Sequence, residues 1–435
     1  MLDILSNRTY RRLFMAQVIA LLGTGLATVA LALLAYDLAG ANAGAVLGTA
    51  LAIKMAAYIG VAPVAAAFAE RLPRRAMLVT LDLVRAAVAL SLPFVTEIWQ
   101  VYVLIFVLQS ASAGFTPTFQ ATIPDVLPRE ADYTKALSLS RLAYDLESLV
   151  SPALAAGLLT MISFHSLFYG TVLGFIASAL LVLSTVLPKA KLPPPRRIYD
   201  RITRGTRIYL ATPRLRGLLA LNLTAAAASA MVIVNTVVIV QGQLKLSQNA
   251  TAMALAAFGA GSMLIALVLP KLLDRLTDRN VMLSGAAVLV IGLALGALLS
   301  STLAGLLATW FWLGLGYSMV QTPAGRLVRR SAHAEDRPAL FAAQFALSHG
   351  CWLVTYPLAG WLGAKSGLDI SFYVLTGVAA CAALAAARLW PSADPEEISH
   401  AHEGLDPGHP HLGQGPPKPH SHAYVIDDEH RRWPK

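Results

Sequence analysis

Charge is what this chain has least of. Only 13% of its 435 residues are Asp, Glu, Lys or Arg, against 56% hydrophobic, where a soluble chain carries about a quarter charged residues. The charges are clustered, with long apolar stretches between them, and mean hydropathy is +0.61. That pattern puts most of the chain in lipid. Cysteine is nearly absent: Cys351 and Cys381 both lie in apolar segments, which argues against a disulfide framework. Aromatic residues make up only 8%, which mildly disfavours a large aromatic cavity for organic compounds. There is no Gly-rich phosphate loop of the Walker type, no His-Glu-x-x-His and no nucleophile elbow on a polar domain. The chain is therefore not expected to be an enzyme, and uphill transport would draw on an ion gradient. The opening MLDILSNRTYRRLF leads into a full-length apolar stretch with no small-residue cleavage site, so it reads as a first transmembrane helix and not a signal peptide.

A span needs about 20 apolar residues to cross about 30 Å of hydrocarbon. On that basis spans are predicted near 14–37, 44–69, 76–96, 100–121, 135–160 and 166–187, then 216–241, 250–272, 281–300, 303–325, 339–364 and 369–390. The predicted fold is an all-α integral membrane protein with twelve transmembrane helices in two pseudo-symmetric six-helix halves. Its organisation is a first bundle over 1–187, a basic linker over 188–215, a second bundle over 216–390 and a polar tail over 391–435. The linker is Pro- and Arg-rich, and part of it suits an amphipathic surface helix.

Basic residues alternate between the two sides. One set of loops holds Arg8, Arg11 and Arg12; Arg71, Arg74 and Arg75; Arg129; Lys189 to Arg216; Lys271, Arg275 and Arg279; and Arg326, Arg329, Arg330 and Arg337. The alternate loops hold little beyond Lys245 and Lys365. By the positive-inside rule both termini are cytoplasmic, which predicts a multi-pass protein of a bacterial inner membrane. The same placement explains the net charge of +10 without nucleic acid; the partner expected is the bilayer, and the chain is expected to act as a monomer. The halves also repeat. Glu70–Arg75 answers Asp274–Arg279, Ser151-Pro152 answers Tyr356-Pro357, and Pro117 answers Pro323, all at an offset of about 205 residues. Such a pair suits a carrier with its substrate site between the halves.

Ionisable groups deep in lipid are costly and usually functional. Lys54, Asp145, Glu147 and His349 are expected near mid-membrane, and the repeat offset lays Tyr144–Glu147 over His349, Gly350, Cys351 and Trp352. This layer, with Cys351, is the expected substrate or proton pathway: a carboxylate would hold a cation when ionised and release it when protonated. The alternative is that Lys54 pairs with Asp145 only to hold helices together, with Cys351 a small packing residue. Asp82 and Arg85 share a helix face near the cytoplasmic end and suit gating or anchoring, and Arg141 and Asp145 also share a face. Beyond Trp390 prolines and glycines are frequent and apolar residues few, so the tail is expected to be disordered. It carries seven of the ten histidines: His400, His402, His409, His411, His420, His422 and His430. Six form His-x-His pairs, with acidic residues between, a composition suited to nickel, copper or zinc.

Over all twelve spans the sequence resembles the major facilitator superfamily. Ala66…Glu70-Arg71-Leu72-Pro73-Arg74-Arg75, followed by Asp82 and Arg85, resembles that family's gating signature between its second and third helices, with Ala, Glu and Pro where Gly, Asp and Gly are usual. Ser148…Ser151-Pro152…Ala155-Ala156-Gly157 resembles its exporter signature in helix 5, though poorer in glycine. Ile53–Pro63, Glu70–Arg75, Pro124–Glu130 through Glu147, and the tail resemble the Nre-type nickel-resistance exporters. The resemblance implies proton-coupled efflux of nickel, with cobalt or iron as further cargo, and no resident cofactor beyond transported or tail-bound divalent metal. An exporter of a siderophore or drug-like compound is the alternative.

Overall fold

The computed structural model describes residues 2–39, 43–69, 72–188, 197–395, 397–400, 420–430 and 432–434. In lipid every backbone N–H and C=O needs an internal partner, so the long apolar runs are built as helices. The first half holds α1 (Arg8–Ala39), α2 (Ala43–Ala69), α3 (Arg74–Ser91), α4 (Ile98–Val126), α5 (Glu130–Leu159) and α6 (Phe164–Leu183). A linker helix, α7 (Ile198–Ala211), follows. The second half holds α8 (Pro213–Val237), α9 (Gln248–Leu273), α10 (Asp278–Leu299), α11 (Leu303–Gln321), the short α12 (Ala324–Arg330), α13 (Arg337–Lys365) and α14 (Leu368–Leu389). Helix starts pair as Arg8 with Pro213, Ala43 with Gln248, Arg74 with Asp278, Ile98 with Leu303, Glu130 with Arg337, and Phe164 with Leu368. Every pair is displaced by about 205 residues, so the repeat extends to the whole architecture.

Among the described residues nine helices are long and apolar enough to cross a membrane. Helix α2 contributes a shorter apolar stretch, Ala52–Ala67, and the long helices α5 and α13 are not among the nine. Helix α5 carries Glu130, Asp132, Lys135, Arg141, Asp145 and Glu147, and polar groups of this kind are found where helices face one another or water. Both helices do lie between the halves: α13 packs on α2 and α4, and α5 packs on α9. Within the first half α1 packs on α6 and α5, α2 on α4, and α3 on α6 and α4; within the second, α9 packs on α11, α10 on α11 and α14, and α8 on α14 and α13. The second half has one continuous core, with Leu218, Leu221, Trp310 and Phe372 all fully buried. A separate small-residue cluster of Ala62, Ala66, Ala113, Ala342 and Phe345 crosses the seam.

Two features differ from expectation. The predicted span 303–325 is interrupted: α11 stops at Gln321 and α12 restarts after Pro323, because proline removes a helix donor and crowds the preceding turn. The tail, expected to be disordered, is ordered in its described parts. Strands β1 (Glu397–His400) and β2 (His420–Ala423) pair antiparallel, and Tyr424, Val425 and Ile426 are buried, with Tyr424 and Ile426 joining the core of the second half. Low average apolar content hid a short apolar run that finds a complementary surface.

Candidate functional site at the seam between the halves

On the α2–α13 side, Tyr58 is the hub. Its hydroxyl donates to Gln109 Oε1 on α4 at 2.9 Å, and its ring packs edge-on against His349 with centroids 4.7 Å apart. Phe345 lies 4.7 Å from the Tyr58 ring and 4.2 Å from His349, and Trp352 flanks the imidazole on the other side. Lys54, one turn before Tyr58, holds its ammonium 5.5 Å from the phenol ring, within cation–π range. It acts electrostatically on both Glu147 and His349. Nδ1 of His349 sits 2.7 Å from the Phe345 carbonyl. A carbonyl only accepts, so Nδ1 carries the hydrogen, and whenever the ring is neutral Nε2 keeps a lone pair for a proton or cation.

Glu147, on α5, lies within electrostatic range of Lys54. Helix α1 comes so close here that a Cβ on Gly25 would lie 2.1 Å from Ser151 Oγ and 2.8 Å from Glu147 Oε1. Only glycine allows that approach. Asp145 does not join Glu147. Residues two apart on a helix point to different faces, and Asp145 pairs with Arg141 one turn earlier on the same helix. Arg141 also donates to Ser262 on α9 at 3.1 Å and lies 5.0 Å from the Tyr317 ring on α11. The single expected layer is thus two centres: Lys54, Glu147 and His349 on one side, Arg141 and Asp145 on the other. The ion pair of Asp145 is with Arg141, while Lys54 lies over the Tyr58 ring. Cys351 belongs to neither. It is buried, with Sγ 3.6 Å from the Leu347 carbonyl and facing Leu219 on α8, so it packs within the second half.

The end of the bundle that carries both termini is closed by ion pairs between the halves. Asp125 on α4 takes Arg74 from its own half and Arg337 from the other, the latter at 3.0 Å. Glu130 accepts from Arg329 and lies 3.3 Å from the Arg326 guanidinium, and Arg326 also reaches Asp278 at 3.0 Å. Of the expected gating residues, Arg74 is in this network. Arg75 instead donates to the Thr185 carbonyl of its own half at 3.2 Å, and Glu70 and Arg71 lie outside the described residues. Asp82 and Arg85 are buried inside the first half: Arg85 pairs with Asp82, Ser178 donates to Asp82 at 2.7 Å, and the guanidinium is held between Phe115 and Phe175. They brace α3 against α4 and α6, within the first half. Sequence reasoning missed Tyr58 as hub and Asp125 and Glu130 as gate acids. The available signal was that these two acids stand among clustered basic residues.

Among the described residues no three His, Cys, Asp or Glu side chains are grouped to hold a metal ion. His402, His409 and His411 lie outside the described residues, as do the side chains of His400 and His420. His430 is buried, with Nδ1 2.9 Å from Asp427 Oδ1 and its ring 5.1 Å from that of His422.

This architecture has relatives. The sequence profile of the Major Facilitator Superfamily matches residues 13–239 and again 217–416, once per half. The MFS-type transporter YfiS of Bacillus subtilis is 25% identical over 327 residues, covering 72% of this chain and 76% of that protein. Macrolide efflux protein A of Streptococcus pyogenes is 27% identical over 153 residues, 33% of this chain and 38% of that protein. Among solved structures, the human organic anion transporter MFSD10 (TETRAN) superposes with TM-score 0.75 at 12% identity, over 87% of this chain and 99% of that one. A bacterial homologue of the iron transporter ferroportin, in an outward-facing state, superposes with TM-score 0.74 at 13% identity, over 88% and 99%. With both halves matched and the twelve-helix fold shared, the chain belongs to the Major Facilitator Superfamily of membrane transporters.

Proposed function

We propose that this transporter is a proton-coupled exporter in which Glu147 alternates between a proton and the cargo, and that the cargo is a divalent metal ion, nickel first, with cobalt and iron as relatives. The observation that carries the reading is that Lys54 of α2 lies within electrostatic range of both Glu147 of α5 and His349 of α13 at the seam where the halves part. With Glu147 ionised, its carboxylate and the bare Nε2 of His349 offer one hard and one borderline donor, a set suited to nickel or cobalt. Protonating Glu147 removes the anionic donor, and the Lys54 ammonium then repels the cation. Two donors and water make a weak site, which is what a cargo that must leave requires. The basic end, with both termini, faces the cytoplasm of a bacterium on this reading, and the seven tail histidines meet metal there before export. The exporter direction is in keeping with the efflux function named for the macrolide relative.

A second reading, export of an organic compound, is favoured by Tyr58, Phe345 and Trp352 around His349 and by the lack of a three-donor group among the described residues. Efflux of radioactive nickel and of an organic dye from cells expressing the intact protein and Glu147→Gln separates the two. The metal reading expects nickel efflux at least tenfold slower in Glu147→Gln and dye efflux indifferent to the protein. Nickel retention equal to that of empty cells in both strains sinks it, and dye efflux lost in Glu147→Gln puts the organic reading in its place.

A further inference from the structure

The connection that closes the seam is held from two sides. Its Arg326, Arg329 and Arg337 point at the first half, reaching Glu130 and Asp125, and Tyr133 donates to the Gly325 carbonyl at 3.3 Å. Its Arg330, His333 and Asp336 point the other way, at the linker helix and the tail. Arg330 pairs with Asp394, and His333 Nε2 lies 3.3 Å from Asp427 Oδ2. Asp336 takes Arg204 of α7 through both carboxylate oxygens, at 2.5 and 2.7 Å, while the same guanidinium reaches Asp428 at 2.8 Å. The end of the tail forms a strap anchored by more than charge: Tyr424, Val425 and Ile426 are buried, and Trp433 stacks on Arg214 of α8 at 4.8 Å. Helix α7 in turn touches both α2 and α13. At Gly205 its backbone meets α13 so closely that a Cβ would fall 2.0 Å from the Ala339 carbonyl oxygen.

We infer that the end of the tail is a brace that holds the gate-bearing connection, residues 324–337, in the position where its arginines clasp the first half, and so biases the transporter towards the state closed at its basic end. The same short segment must present one row of side chains to the opposite half and another to the strap. A strap that leaves frees that segment to move, and the inter-half ion pairs lose their pre-set geometry. The brace is independent of the cargo, because the contacts that hold it lie on α7, α8 and the 324–337 connection.

Double electron–electron resonance on the full chain in nanodiscs reads this directly. Spin labels go on Ala76 and Leu276, exposed residues of the two halves at that end, in a Cys351→Ala, Cys381→Ser background. Arg337→Ala, which removes a seam pair, calibrates the open distance. The Asp427→Ala/Asp428→Ala variant and a chain ending after Ala423 are expected to raise the open fraction at least threefold, with Glu429→Ala unchanged. A distribution identical to that of the intact chain in the double variant, alongside a shift in Arg337→Ala, overturns the inference. If the shortened chain fails to fold, the double variant, which leaves the apolar anchor in place, decides alone.

Discussion

Asp82 and Arg85 show how residue chemistry and residue role part company. A charged pair near one end of a span suits a gate, yet this one is sealed inside a half with Ser178 as third member. Removing one partner of a buried pair leaves an uncompensated charge and costs about 3–5 kcal/mol, whereas replacing both by apolar residues of similar volume is often neutral. Asp82→Ala should therefore lower the melting temperature sharply in detergent, while Asp82→Leu/Arg85→Met should melt near the parent and still transport. A double variant that is stable yet inactive would restore a gating role. Gly25 is tested the same way. Gly25→Ala forces its Cβ into Ser151, and such overpacking costs about 1–3 kcal/mol; Ser151→Gly in the same chain should recover most of the lost melting temperature.

At the scale of elements, α5 divides its acids between two faces, and the strap divides its contacts between charge and apolar burial. The hydrogen bond from His333 to Asp427 raises the imidazole above its ordinary value, against the opposing effect of burial. For Asp427, burial works to raise the carboxyl, but the hydrogen bonds from His333 and His430 outweigh it and hold it below the usual carboxylate range. The His333 contribution is complete below the ordinary imidazole value of 6.5 and is lost as pH rises through the raised one. The Asp427 contribution is present above 3.8 and fades only as pH falls through the depressed value. Hydrogen exchange over residues 420–430 and 432–434 should therefore quicken as pH rises through the raised His333 value, beyond the intrinsic rise, and His333→Gln should abolish that excess. An excess that survives His333→Gln would place the pH sensitivity elsewhere.

For the molecule as a whole, the ion pairs of Asp125 and Glu130 join the two halves at the basic end, and parting the halves there requires them to break. Replacing both acids by alanine should expose the seam. A cysteine placed at Ala66, which is 5% exposed beside Ala342 and Phe345, should then react with a water-soluble maleimide several-fold faster than in the parent chain. Equal rates would show that apolar packing alone keeps this end shut.

Much of this was legible in the residues. Span count, the twofold repeat of about 205 residues and the basic end all follow from composition along the chain, because lipid rejects charge locally and each span reports its own solvent. Lys54, Glu147 and His349 were legible as costly groups at similar depth. Which acid meets Lys54 was not, since Asp145 and Glu147 differ by a rotation about one helix axis that only packing sets. Nor was the fate of Cys351, of the Asp82 and Arg85 pair, or of the tail, whose ordering depends on a surface assembled from α7, α8 and the 324–337 connection. The sequence by itself determined the solvent of each segment and the symmetry of the halves; the tertiary structure decided the partners, because a side chain's partner hundreds of residues away is chosen by geometry that no local pattern encodes.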